Sequence, residues 1–222
     1  MGKITTIVLL GGEGSRLKPL TSYMHKSLLR IKSGEPLLRY IYRQITKWNY
    51  ASNIYFAVSK TYFPEQIRNE FSPYIEFLHF IKLIEGNKPL GTAGEIWNVR
   101  KHLKDFNDIL VYYGDTFANV NLKKLYEQHK NQNADATVTL AHWRAPKGIL
   151  IGDKIEEKPD FMVVCPVFFI KSSVLKLCKP NQDFMKDVIP KLKVKYYIHE
   201  GFYYDIGTFR EYEEALEQDV AK

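Results

Sequence analysis

The sequence predicts an α/β domain on a mostly parallel sheet, and three observations carry that prediction. Short apolar or β-branched runs alternate with segments of helical spacing, the pattern of successive strand–helix–strand units. The first run, Ile4-Thr5-Thr6-Ile7-Val8-Leu9-Leu10, is continuous and stops at Gly11-Gly12, as a strand buried on both faces does. Of the 222 residues 45% are hydrophobic and 26% charged, a globular mix that excludes disorder, collagen and coiled coil. A chain of this length buries a core without disulfide or metal staples.

The elements follow in order. Pro36 to Trp48 places Leu37, Leu38, Ile41, Ile45 and Trp48 at helical spacing, with proline at the start. Asn53 to Val58 reads as a second strand, and Pro64 to Phe71 as a short helix opened by proline. Ile75 to Ile84 contains a third strand, Thr92 to Leu103 is helical, and Ile109 to Tyr113 is a strand that stops at Gly114-Asp115. Leu122 to Asn131 is a helix and Ala136 to Ala141 a strand. Gly148 to Ile151 and Lys154 to Glu157 flank Gly152-Asp153, a tight-turn pair, and predict a hairpin. Phe161 to Ile170 is a long apolar strand containing Pro166, which has no N–H for a ladder and so predicts an edge or a bulge. Phe184 to Ile189 and Phe209 to Leu216 are helical. There is no repeat, low-complexity tract or Gly/Ser linker, so residues 1–222 are expected to form one domain.

The remaining composition bounds function. Cys165 and Cys178 form no CxxC pair and no HExxH occurs, which argues against a zinc site and fits a reducing compartment. The apolar run at the start is too short to span a bilayer and lacks a cleavage site, so a cytoplasmic protein without membrane contact is expected. The net charge of +7 fits a polyanionic ligand, nucleic acid or a phosphorylated small molecule, and fits equally a lysine-rich solvated surface.

After the first strand comes Gly11-Gly12-Glu13-Gly14-Ser15-Arg16-Leu17-Lys18-Pro19-Leu20-Thr21. It lacks the GxxxxGK[ST] pattern, and Leu17 stands where a dinucleotide fingerprint needs its third glycine. Glycines still let a backbone turn its N–H groups toward an anion, and Arg16 adds a planar fork suited to phosphate oxygens. A plain turn with exposed basic residues fits the same loop.

The segment resembles the signature loop of the sugar-1-phosphate nucleotidyltransferases, which include mannose-1-phosphate and heptose-1-phosphate guanylyltransferases. Pro89-Leu90-Gly91-Thr92-Ala93-Gly94, Gly114-Asp115, Glu157-Lys158-Pro159 and Asp205-Ile206-Gly207-Thr208 resemble that family's later motifs, in order, over nearly the whole chain. The resemblance implies a Rossmann-like, GT-A-like three-layer sandwich with a mostly parallel mixed sheet. It implies transfer of a nucleotidyl group from a nucleoside triphosphate to a sugar 1-phosphate, with release of pyrophosphate and Mg²⁺ as cofactor. By the same resemblance, Leu10, Gly11, Gly12, Gly14, Ser15 and Arg16 hold the triphosphate, with Pro89, Gly91 and Thr92 at the base. Arg16, Lys26 and Asp115 are the catalytic set, and Asp115 and Asp205 hold the metal. Gly148, Glu157 and Lys158 take the sugar phosphate.

Three departures qualify the match. His25-Lys26-Ser27 replaces the family's Pro-Lys-Pro, which implies a less rigid loop. Val163-Val164-Cys165-Pro166 replaces a polar sugar-lining stretch, and Glu95 stands where the family usually has alanine. Glu85, one residue further from Pro89-Leu90-Gly91 than expected, resembles the Glu that guanylyltransferase relatives carry near Pro-Leu-Gly-Thr; a carboxylate accepts from guanine's N1–H and amine, so the resemblance implies GTP, and a solvated strand-end residue fits Glu85 too. The alternatives are a thymidylyl- or uridylyltransferase acting on glucose 1-phosphate, or a non-catalytic regulatory homologue. Arg16, Lys26, Asp115, Lys158 and Asp205 are all present, which favours an active enzyme. A nucleic-acid partner is not expected, because no RNP, KH or zinc pattern supports one.

Overall fold

The computed structural model describes residues 4–48, 51–77, 81–103, 107–144 and 147–218. In chain order the elements are β1 (Ile4–Leu9), α1 (Leu37–Lys47), β2 (Ala51–Ser59), α2 (Pro64–Ser72), β3 (Ile81–Gly86), α3 (Thr92–Val99), β4 (Asp108–Tyr113), β5 (Thr116–Ala118), α4 (Leu122–Asn131), β6 (Ala136–Arg144), β7 (Ile149–Ile151), β8 (Lys154–Glu156), β9 (Asp160–Lys171), β10 (Val194–His199), β11 (Tyr203–Asp205) and α5 (Phe209–Glu217). Seven strands form one sheet in the order β10-β6-β9-β4-β1-β2-β3. Only β9 runs against its neighbours; the pairings β1–β2, β1–β4, β2–β3 and β10–β6 are parallel. The predicted α/β class with a mostly parallel mixed sheet is what the chain adopts.

Two cores, one on each face, make the sheet the middle of three layers. Strand β1 shows why: Ile4 and Val8 enter one core and Ile7 and Leu9 the other, so a continuous apolar run is required. The first face is covered by α1, α2 and α4 through residues such as Leu37, Ile41, Ile67, Phe71 and Leu125. The second is covered by α3 (Ala93, Ile96, Val99) and by residues 174–188, with Phe168 stacked on Phe184 at a centroid distance of 5.1 Å.

Several expectations shift in detail. The third strand begins at Ile81 rather than Ile75, because Pro73–Phe77 continues α2 as a helical turn whose Tyr74 packs on Phe71 and Tyr42; residues 78–80 lie outside the described set. The helix at Thr92 ends at Val99, and a 3₁₀ turn covers Arg100–His102. The helix at Phe184 is a single π-type turn followed by a 3₁₀ turn at Ile189–Lys191, where Pro190 cannot extend an α-helical ladder.

Pro166 resolves its two alternatives. The strand carrying it is interior, between β6 and β4, so it is not an edge. The ladder instead jumps from Val138↔Phe168 to Thr139↔Cys165, leaving Pro166 and Val167 bulged from β6. Strands β5 and β11 form an antiparallel ribbon with Asp205 opposite Thr116, and Ile206 donates to the Asp115 carbonyl at 2.9 Å. No helix among the described residues is long and apolar enough to cross a membrane.

Candidate active site

Parallel strands end together, and the loops beyond their carboxyl ends leave a crevice. Here that crevice is a cavity of about 470 Å³. Its lining comes from the loop after β1 (Gly11, Gly12), the loop before α3 (Pro89, Gly91), α3 itself (Thr92, Glu95), the ends of β4 and β11 and their loop (Tyr113, Asp115, Tyr203, Asp205), β9 at its bulge (Val164, Pro166), and Leu9, Lys26 and Met185.

The glycine loop is shaped by close approach. A Cβ on Gly12 would lie 2.9 Å from both Cε and Nζ of Lys26, so the ammonium packs directly against this bare backbone and a side chain there would displace it. Gly14 turns the chain in the left-handed region (φ 68°) into a 3₁₀ turn whose Leu17 anchors in the core. Thr21 closes the loop, donating from Oγ1 to the Gly14 carbonyl at 2.7 Å.

The loop carrying Lys26 is tied down, contrary to the expectation from its missing prolines. His25 is buried; its Nδ1 accepts from the Ser27 N–H at 3.1 Å, so Nε2 bears the proton and donates to the Leu10 carbonyl at 2.9 Å. The backbone N–H of His25 donates to Gln66 Oε1 at 2.8 Å. Burial pushes His25 down to about 4, so the ring is neutral at pH 7. Unfolded His25 takes a proton below pH 6.5 that the folded ring refuses. Its share of stability is therefore present above 6.5 and lost as pH falls toward 4. Between pH 7 and 5 the wild type should lose about 2 kcal/mol that a His25→Gln variant does not lose, measured by denaturant unfolding.

Lys26 Nζ is bound to Asp115 Oδ2. Asp205 stands beside them, its carboxyl pushed up to about 7, first by burial and then by the Asp115 charge, with Lys26 and Arg16 pulling the other way. Two neighbouring carboxylates beside Lys26 and a bare glycine backbone fit Mg²⁺, which takes one or two carboxylates and completes its shell with phosphate oxygens and water. Arg16 approaches from the far side: a Cβ on Gly207 would meet its Nη2 at 3.0 Å and Glu211 Oε2 at 3.1 Å. Thr208 caps α5, accepting from the Glu211 N–H at 3.3 Å and donating to Glu211 Oε2 at 2.9 Å.

At the other end, Gly91 has φ 75°, and a Cβ there would lie 2.5 Å from the Gln182 carbonyl oxygen. Thr92 Oγ1 accepts from the Phe184 N–H at 2.7 Å and donates to Asp183 at 3.2 Å, so the loop is clamped to residues 182–184. Gly91→Ala should cost about 2 kcal/mol or more and weaken nucleotide binding, as thermal unfolding and calorimetry would report.

The expected residues separate into those the fold gathers and those it does not. Gly11, Gly12, Lys26, Pro89, Gly91, Thr92, Asp115 and Asp205 line the cavity. Leu10 is core: its N–H donates to Ala57 at 2.7 Å and its side chain fills the space that Gly114 leaves free. Gly14, Ser15 and Arg16 are outside the lining. Gly148 and Glu157 meet on the predicted hairpin, where a Cβ on Gly148 would be 3.0 Å from Glu157 Oε1; together with Lys158 they lie outside the lining. Glu85 is a correction. It shares the β3 face of Ile81 and Leu83, under α2, and pairs with Arg68 instead of lining the cavity. The carboxylate that does line it is Glu95. Residues not assigned a site role from sequence include Tyr113 and Tyr203. Each had a signal: Tyr113 ends the strand before Gly114-Asp115, and Tyr203 shares a strand face with Asp205. Met185 had none.

With this geometry in place, the comparisons with known proteins are specific. The family model described as nucleotidyl transferase matches residues 5–222. A Sulfolobus acidocaldarius protein provisionally named mannose-1-phosphate guanyltransferase is 28% identical over 94% of this chain, which spans 61% of that relative's length. The D-glycero-alpha-D-manno-heptose 1-phosphate guanylyltransferase of Aneurinibacillus thermoaerophilus is 31% identical over 60% of this chain and 56% of its own. The crystal structure of HddC from Yersinia pseudotuberculosis complexed with GMP-PN superposes with a TM-score of 0.77, covering 98% of this chain and 99% of that one; at 22% identity this is a likeness of fold. The chain belongs to the nucleotidyl transferase family, with distant homology to mannose-1-phosphate and heptose-1-phosphate guanylyltransferases.

Proposed function

We propose that the chain transfers a guanylyl group from GTP to a mannose- or heptose-type 1-phosphate, releasing pyrophosphate. The observation that carries this reading is the meeting of Lys26, Asp115 and Asp205 beside the Gly11-Gly12 backbone in a cavity of about 470 Å³. The names of the relatives support the guanylyl and sugar parts.

In this reading the sugar-phosphate oxygen attacks the α-phosphorus in line, the bond to the bridging oxygen of the β-phosphate breaks, and pyrophosphate leaves with that electron pair. The protein contributes position and charge. Glycine-loop N–H groups hold the triphosphate, and Arg16 and Lys26 draw negative charge onto the leaving group. Asp115 orients the Lys26 ammonium. Asp115 and Asp205 would hold Mg²⁺, which when bound neutralises phosphate charge. Glu157 and Lys158, on the exposed hairpin, would accept from sugar hydroxyls and pair with the sugar phosphate. This gives Arg16, Lys26 and Lys158 an anionic partner within the +7 balance and requires no nucleic acid.

A pyrophosphate-release screen over a grid of triphosphates and sugar 1-phosphates, with Mg²⁺, tests the reading. Turnover is expected with GTP and a mannose- or heptose-type 1-phosphate. Silence in every cell sinks the catalytic proposal; much faster turnover with UTP or dTTP sinks its guanylyl part.

A further inference from the structure

Glu95 sits in the first turn of α3, where the helix N-terminus favours negative charge. A first-turn acid serving only the helix dipole stays in water, yet Glu95 is 2% exposed and lines the cavity. Its Oε1 accepts from the Leu90 N–H at 3.3 Å, and its Oε2 is buried with no hydrogen-bond partner among the described residues. Asn98 Nδ2, one turn along α3, is buried and unpartnered in the same way. Both approach the space left by the missing side chain of Gly86: a Cβ there would be 3.7 Å from Asn98 Nδ2 and 3.8 Å from Glu95 Oε2. Gly11 faces the same carboxylate, at 3.3 Å from where its Cβ would be. An unsatisfied buried carboxylate is costly, and such a group in a cavity wall calls for the donor that completes it.

We propose that Glu95 is the base-reading residue, its carboxylate accepting from the adjacent ring N–H and exocyclic amine of guanine. The inference rests on the guanylyl reading above and gives it a residue. Guanine presents two neighbouring donors on one edge. Uracil and thymine present a single N–H between two carbonyls, whose oxygens repel a carboxylate. Adenine and cytosine set an amine beside a ring acceptor. An acceptor-only group therefore discriminates for guanine on donor pattern alone.

Binding of GDP, IDP and UDP, measured by calorimetry on the wild type and Glu95→Gln, tests this without requiring the sugar substrate. The wild type should bind GDP about 30-fold more tightly than UDP, with IDP, which lacks the amine, in between. Glu95→Gln should cost GDP about 30-fold, leave UDP where it was and bring GDP and IDP together. Because the substitution is isosteric and removes an unpaired buried charge, its melting temperature should not fall. A wild type that prefers GDP and a Glu95→Gln variant that keeps the preference would overturn the Glu95 assignment and leave the guanylyl reading standing. Equal weakening of GDP and UDP would make Glu95 merely structural and overturn it as well. A wild type that prefers UDP would overturn both. Loss of the GDP preference in Glu85→Gln instead of Glu95→Gln would return the role to Glu85.

Discussion

Asp205→Asn is expected to abolish turnover while making the metal-free protein more stable at pH 8. Both effects have one cause. Burial and the neighbouring Asp115 charge push the Asp205 carboxyl from 3.8 up to about 7. The folded chain thus prefers Asp205 protonated, whereas the unfolded chain ionises it freely. Below pH 3.8 the group is protonated in both states and costs nothing. Between pH 3.8 and 7 the unfolded chain has released a proton that the folded chain keeps, so stability falls across that window and levels off above 7, where the folded protein carries a carboxylate crowded by Asp115. The shift is worth about 4 kcal/mol at most, and solvent screening of this exposed residue cuts that to about 2 kcal/mol, so asparagine should give a gain of about 2 kcal/mol in denaturant unfolding at pH 8 that vanishes near pH 4. The amide cannot supply the charge that holds a divalent cation, so pyrophosphate release should drop about 1,000-fold or more. Added Mg²⁺ should raise the wild-type melting temperature at pH 8 and leave the variant's nearly unchanged. A variant with near-normal turnover refutes the metal role; one without the stability gain refutes the electrostatic account.

That conflict between stability and function is also where reading from sequence works least evenly. Strand β1 was legible because burial on both faces leaves no other pattern than a continuous apolar run, and its glycine stop marked the loop that lines the cavity. Strands β5 and β11 were not: three residues each, they exist because Thr116–Ala118 meets Tyr203–Asp205, a pairing some ninety residues apart with no local periodicity. The same non-local pairing brings Asp205 to Asp115, so the proposed metal pair came only from family resemblance. Pro166 announced an irregularity but not its kind; only the neighbours β4 and β6 decide between an edge and a bulge. Glu85 and Glu95 show the limit most clearly. Both are acids near Pro89-Leu90-Gly91, and the family resemblance points to the first even though its spacing is one residue long. Which face of β3 carries Glu85 depends on the ladder register to β2, and that register turns it toward Arg68. Glu95 was visible as a departure from the family, without a role until α3 packed against the glycine loop.

Lys26 carries the other large effect, and its geometry makes the substitution series diagnostic. Its ammonium is held between the Asp115 carboxylate and the bare backbone of Gly12, where even a methyl group would sit 2.9 Å from Nζ. The slot is cut for one compact point charge. Lys26→Ala should lower kcat by about 100- to 1,000-fold, since a cation aimed at charge developing on the leaving group is lost from a sheltered site. It also removes the cation that offsets the two carboxylates, so Asp205 should hold its proton to still higher pH. Lys26→Arg restores the charge but should not restore the rate: the planar fork is wider than the ammonium and cannot enter without displacing Gly12 or Asp115. Gly12→Ala, which leaves the charge and fills the slot, should behave like Lys26→Arg, with nucleotide affinity falling less than kcat. If positive charge alone were required, Lys26→Arg would turn over nearly as fast as the wild type; single-turnover pyrophosphate release on the three variants separates charge from position.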